Sequence, residues 1–168
     1  MKLHLINFKT KLLLKRNKIS RANVPYIAAR TIGIVFSVED KQKHFAVKEF
    51  IKHLEQDGKH VQVLEFLPAK KDNYEFKFDF FSEKDFSFFG KLNSAPAIQF
   101  ANAPIDFLFY LDIAPNPFVL NILAQCKAKC RVGPFWEGGT PYLDFMVGSA
   151  NTTQTLFDLL YKYTSQLR

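Results

Sequence analysis

Thr31-Ile32-Gly33-Ile34-Val35-Phe36-Ser37 is a nearly unbroken apolar run, the pattern of a strand covered on both faces of a sheet. Residues 40–57 follow it with helical periodicity. Phe45, Val47, Phe50, Ile51 and Leu54 make the expected inner stripe, Asp40 stands at the N-cap and Gly58 at the C-terminal turn. Val61–Leu67 reads as a second strand, closed by Pro68. Strand, helix and strand at this spacing make a right-handed βαβ unit, which commits the sheet to parallel pairing.

Working outward toward the C-terminus, Lys70-Lys71-Asp72-Asn73 is a turn, Phe76–Phe81 a short strand and Ser82–Gly90 a loop or a single helical turn. Ser94 caps a short helix over Pro96–Ala101. Phe107–Leu111 is the clearest later strand, flanked by Asp106 and Asp112. Residues 116–126 form a helix that turns Phe118, Val119, Ile122 and Leu123 inward. Lys129–Gly133 and Tyr142–Val147 read as strands, and Thr152–Gln166 as a closing helix. Strands alternating with helices predict an α/β fold, a three-layer Rossmann-like sandwich with a mainly parallel sheet, over residues 31–168.

Toward the N-terminus the charge changes abruptly. Lys2, Lys9, Lys11, Lys15, Arg16, Lys18, Arg21 and Arg30 precede the first acid, Glu39. The chain holds 23 Lys and Arg against 16 Asp and Glu, so beyond those eight cations the remaining 15 face 16 acids. Residues 1–30 therefore read as a basic extension on a near-neutral domain, the arrangement of a protein that docks on a polyanion. Residues 3–19 are good helix formers with no Gly or Pro, so the extension is partly helical. On a helical wheel its cations fall in two groups with Leu and Ile between them. A membrane-surface helix instead carries one apolar and one polar face. Cations pointing several ways suit a segment threaded between RNA helices, its order imposed from outside. Ala22–Arg30 then reads as a connector.

At 168 residues the chain has room for one domain and an extension. Its 19 Phe supply apolar area for a small core. Cys126 and Cys130 make no disulfide framework and suit a cytoplasmic location. They also lack the second ligand pair a zinc site needs. No apolar stretch reaches the length of a membrane span, and Lys11 and Lys15 interrupt Leu12-Leu13-Leu14, so no secretory signal is expected.

In an open α/β sheet, ligands sit at the carboxyl ends of the strands. The first strand ends in Ser37-Val38-Glu39-Asp40, without the glycines a dinucleotide needs and with two acids that repel phosphate. No phosphate-binding P-loop motif occurs, and Gly138-Gly139 before Pro141 is a turn. Asp112 is the best isolated candidate for a catalytic or ligand-binding carboxylate, although capping a helix or pairing in a loop is the commoner use of such a residue. Asp106, Asp144 and Glu137 are its possible neighbours. Neither cysteine has a histidine partner, no nucleophile elbow is present, and Ser37 has no base close in sequence. No cofactor or metal is expected. Lys70-Lys71 and the group Lys127, Lys129 and Arg131 are modest basic patches that could extend the phosphate contacts.

The stretch from Thr31-Ile-Gly-Ile-Val-Phe through Ala128-Lys-Cys-Arg-Val-Gly-Pro-Phe135 resembles a family of small uncharacterised α/β proteins of Bacteroidota. Asp79-Phe-Phe-Ser-Glu-Lys-Asp85, Phe107-Leu-Phe-Tyr-Leu-Asp112 and Ala128-Lys-Cys-Arg-Val-Gly133 carry the resemblance. It brings no catalytic residues. It implies kinship with a lineage-specific protein of the large ribosomal subunit, and so ribosomal RNA and neighbouring ribosomal proteins as partners. A fainter likeness is to the acceptor half of two-domain glycosyltransferases, where a strand ending in Asp, a helix and a lysine-rich strand occur in this order. The half that would bind the nucleotide donor has no counterpart here.

The sequence thus predicts a non-enzymatic ribosomal or ribosome-associated protein, anchored on rRNA through Lys2, Lys9, Lys11, Lys15, Arg16, Lys18, Arg21 and Arg30. Neither a membrane nor DNA is an expected partner. The alternative is a small ligand-binding protein or glycosyltransferase-like enzyme using the strand-end cleft near Ser37 and Asp112.

Overall fold

The computed structural model describes residues 1–73 and 77–168. These form a six-stranded sheet of β1 (Thr31–Ser37), β2 (His60–Phe66), β3 (Asp79–Phe81), β4 (Phe107–Tyr110), β5 (Cys130–Pro134) and β6 (Phe145–Val147). The spatial order is β3-β2-β1-β4-β5-β6 and every pairing is parallel, so the expected α/β sandwich is present. The helices are α1 (Lys2–Arg16), α2 (Lys41–Gln56), α3 (Ala95–Asn102), α4 (Pro117–Gln125) and α5 (Thr153–Ser165). The strand expected over Phe76–Phe81 is shorter, Asp79–Phe81, and its first residue, Phe76, lies outside the described residues. Likewise β6 covers only the last three residues of Tyr142–Val147.

Period-two alternation sorts the sheet into two cores. From β1, Ile32, Ile34 and Phe36 join Phe107, Phe109 and Leu111 under α2 and α5. Val35, Leu108 and Tyr110 face the opposite side, beneath α3 and α4. Gly33 also points there, and a Cβ on it would lie 2.7 Å from the Ile105 side chain. The run is apolar throughout because both faces are covered.

Asp40 caps α2 as expected, its carboxylate accepting from the Lys43 N–H. The inner stripe differs from the expected one. Phe45 is half exposed, while Lys43 and His44 are buried beside Val47, Phe50 and Leu54. Helical spacing explains the swap: 43, 47, 50 and 54 share a face, and 45 lies about 200° from 47.

The segment set apart by its charge belongs to this packing. Ile6 is fully buried in the core beneath α3 and α4, and Thr10 is buried beside it. The Thr10 hydroxyl donates to the Ile6 carbonyl and accepts from Asn121 Nδ2 of α4, each at 2.8 Å. Beyond α1, residues 17–30 run along the amino-terminal edge of the sheet. There the Ala22 N–H donates to the Lys129 carbonyl, and the buried Lys59 ammonium donates to the Tyr26 and Ala29 carbonyls. The order of residues 1–30 comes from their own domain. That corrects the expectations of a separate extension and of order imposed from outside, while Ala22–Arg30 is the expected connector between α1 and β1, held to the domain by these hydrogen bonds.

Candidate nucleic-acid interface

The outward face of α1 follows from the inward one. With Ile6 and Thr10 turned to α4, the cations Lys11, Lys15 and Arg16 are exposed, and Lys18 follows them just beyond the helix. Lys9 is half-buried and lines a groove of about 230 Å³ together with Lys91, Leu13, Ile98, Asn121 and Gln125. Helices α3 and α4 carry no charge at all. Between Phe86 and Ile105 the only charged residue is Lys91, and between Ile113 and Ala128 it is Lys127. The helical layer on this side of the sheet therefore presents cations and no carboxylate, with Glu83 standing at its rim. Among the described residues, none of these cations forms a salt bridge. An uncompensated field of one sign attracts a polyanion and is screened by salt.

Not every expected contact residue remains available. The Arg21 guanidinium donates to the Cys126 and Ala128 carbonyls, closing the carboxyl end of α4, where Asn17 Nδ2 also donates to the Ala124 and Cys126 carbonyls. Lys2 Nζ donates to the Glu83 carbonyl at 2.8 Å. Arg30 is exposed, but it immediately precedes the interior strand β1, at the amino-terminal ends of the strands and outside α1. The patch at Lys127, Lys129 and Arg131 dissolves. Lys129 pairs with Asp106 at 2.8 Å, and the buried Arg131 holds Asp144 through Nε and Nη2, each at 2.9 Å. Lys127 alone stays exposed without a carboxylate. Lys71 Nζ donates to the Glu39 carbonyl. Sequence reasoning missed Lys91, a lone cation whose placement beside Lys9 depends on the tertiary fold.

The strand-end alternative also has a definite geometry. Strand order reverses between β1 and β4, and Ser37 and Asp112 stand at their carboxyl ends. The Ser37 N–H donates to Asp112 Oδ1 at 2.8 Å and its hydroxyl to Oδ2 at 2.6 Å. Lys43 Nζ donates to Asp112 Oδ1 at 2.7 Å and to Glu39 Oε1 at 2.6 Å. Asn116 Nδ2 donates to the Ser37 hydroxyl at 2.8 Å. Asp106, Asp144 and Glu137 are not among these partners. Ser37, Lys43 and Asp112 are 8%, 3% and 3% exposed. This network clamps two strand ends to the first turn of α2, and its hydroxyl is committed to a carboxylate away from solvent.

A second buried polar pair lies between α2 and β2, on the Phe36 face of the sheet. His44 Nε2 and Glu65 Oε2 are 2.9 Å apart with both side chains fully buried. Burial pushes the Glu65 carboxyl up to about 8 and the His44 imidazole below its usual range. Among the described residues, no group of His, Cys, Asp and Glu is arranged to hold a metal ion, and no helix is long and apolar enough to cross a membrane.

The sequence model of one protein family matches residues 2–167, taking in α1 together with the sheet. The chain belongs to DUF6913, a family of unknown function. No curated protein and no solved structure matches it. The span agrees with the packing: the basic helix and the sheet make up one family unit.

Proposed function

We propose that this DUF6913 protein docks on structured RNA through the outer face of α1, with ribosomal RNA and its neighbouring proteins as the partners and no reaction of its own. The observation that carries the reading is the layer of α1, α3 and α4, whose exposed charges are cations without a carboxylate among them. Lys9, Lys11, Lys15, Arg16, Lys18, Lys91 and Lys127 supply the phosphate contacts. Lys2, Arg21 and Arg30 drop out of the contact set proposed from sequence: Lys2 Nζ already holds the Glu83 carbonyl, Arg21 Nη1 closes the end of α4, and Arg30 lies outside α1. The cytoplasm is the matching location. The strand-end site is the weaker reading, because a substrate there has to displace a buried carboxylate from a lysine and a serine it already satisfies.

Deleting residues 1–30 is a poor test, since it opens the core at Ile6. Neutralising the outer face leaves the core intact. Four lysine or arginine contacts set a salt slope of roughly −3 to −4 in log affinity against log salt concentration. The variant Lys11→Gln, Lys15→Gln, Arg16→Gln, Lys18→Gln is expected to remove about that much of the slope for ribosomal RNA. It is also expected to leave the ribosome fraction when lysate is sedimented. An unchanged slope, or a protein that sediments free in its unaltered form, defeats the reading.

A further inference from the structure

Two phenylalanines beside the cationic helix face have no place in either core. Phe88 and Phe89 are 54% and 75% exposed and stand edge to face with ring centroids 5.6 Å apart. They occupy the tip of a tight turn. The Ser87 N–H donates to the Lys91 carbonyl at 2.8 Å, the Gly90 N–H to the Ser87 carbonyl at 3.0 Å and the Lys91 N–H to the Ser87 hydroxyl at 3.1 Å. The stem is fixed by a bridge between Phe86 and Leu92, both buried in the core that also holds Ile6. Gly90 has a φ of +75°, and a Cβ there would lie 2.9 Å from the Leu5 carbonyl oxygen, so the turn rests directly on the backbone of α1. Single exposed apolar residues need no explanation. A pair of rings held on a hydrogen-bonded tip, next to a groove lined by Lys9 and Lys91, is a different object: its presentation costs no ordering when a partner arrives.

We infer that the Phe88–Phe89 turn is a stacking platform for unpaired nucleotides of RNA, with Lys9 and Lys91 taking the adjoining phosphates. This rests on the RNA-docking reading and adds what that reading leaves open, the kind of RNA element recognised. Aromatic rings beside a cationic track bind bases that have left the helical stack, because every base offers a π face and each phosphate a charge. A duplex offers the rings nothing to stack on. The platform therefore selects loops, bulges and single-stranded ends.

The test uses the full chain with two labelled probes, a single-stranded oligouridine of about 12 nucleotides and an RNA duplex of similar length. Phe88→Ala with Phe89→Ala is expected to weaken single-strand binding by about 5-fold to 150-fold for each stacked base. Duplex binding and the salt slope should stay as in the unaltered protein. Phe88→Trp with Phe89→Trp keeps the single-strand affinity. Phe45→Ala, a half-exposed phenylalanine on the opposite helical layer, leaves both probes unaffected. Equal losses on both probes, or no loss on the single strand, overturns the platform. If the unaltered protein binds neither RNA, the docking reading falls with it. If it binds both and the phenylalanine substitutions change nothing, the platform alone falls.

Discussion

Ile6→Ala separates a helix that is part of the fold from one that merely precedes it. Ile6 is fully buried in the core that also contains Phe86, Leu92, Ile122 and Leu123. The substitution removes three carbons from that core, about 2.4 kcal/mol at roughly 0.8 kcal/mol per buried group. If about 40 Å³ of the vacated space stays open, the cavity adds about 1 kcal/mol, for a total near 3 kcal/mol. With a urea slope of about 2 kcal/mol per molar, the unfolding midpoint should fall by roughly 1.5 M. Leu3→Ala, on an exposed position of the same helix, should change stability by less than about 0.5 kcal/mol. The alternative outcome in which α1 detaches before the sheet melts is visible by hydrogen exchange, as lost protection confined to Lys2–Arg16 with the midpoint little changed. Either result places the helix on its domain. An Ile6→Ala protein with both the midpoint and the α1 protection of the parent refutes the packing described above.

Three other substitutions probe separate parts of the same account. Gly90→Ala meets α1 backbone at 2.9–3.0 Å and a left-handed φ, whereas Gly138→Ala at φ +85° meets nothing within 4 Å. Thermal melts should show the first losing clearly more than the roughly 1 kcal/mol of strain shared by both, and equal losses would remove the turn from α1. Asp112→Ala leaves the buried Lys43 ammonium with only Glu39 and should cost about 3–5 kcal/mol in urea unfolding, while a loss under about 1 kcal/mol would show that the clamp matters little. Glu65 has a folded value of about 8, above its ordinary 4.5, so its contribution to stability is present at low pH and lost as pH rises toward 8. The lowered value of His44 acts with the opposite sign, adding stability as pH climbs to its ordinary 6.5. Between about pH 6.5 and 8 the Glu65 effect stands alone, and melting temperature should fall there in the parent and much less in Glu65→Gln. Parallel curves for the two proteins would contradict the assignment.

How much of this was legible in the sequence depends on where each residue finds its partner. The strands were, because Ile32–Ser37 and Phe107–Leu111 are covered on both faces and so read as unbroken apolar runs. The rotation of α2 was not. Lys43 and His44 find their partners in Asp112, just past β4, and Glu65 of β2, 69 and 21 residues away. Distance along the chain hid Arg131 in the same way, for its bidentate partner Asp144 comes 13 residues later, after a turn. The inner stripe of α1 was disguised by its own chemistry. Alongside Ile6 it uses Thr10, and just beyond the helix Asn17. These polar residues are satisfied by Asn121 and by the last carbonyls of α4, so a count of apolar positions finds no face. Phe88 and Phe89 stand in a dense run of phenylalanines whose commoner use is core filling, and only the fold shows that these two lie outside it.

Of what the sequence suggested about function, the charge asymmetry survives in altered form. It does not mark an arm ordered from outside; most of its cations lie on or next to one helix of a single folded unit. Helical periodicity keeps the packed side of α1 apart from the side proposed to dock, since Ile6 and Thr10 face α4 while Lys11 and Lys15 face water. A change on one side therefore bears on stability and a change on the other on docking, and the two should combine additively when they share no contact. That separation gives the proposal its sharpest internal check. A protein carrying Ile6→Val should lose about 0.5–1.5 kcal/mol of stability while its salt slope for RNA stays that of the parent. The quadruple glutamine variant should lose slope while its unfolding midpoint holds. If core and surface changes on this helix cannot be told apart by those two measurements, the cations act through the fold and the surface reading is wrong.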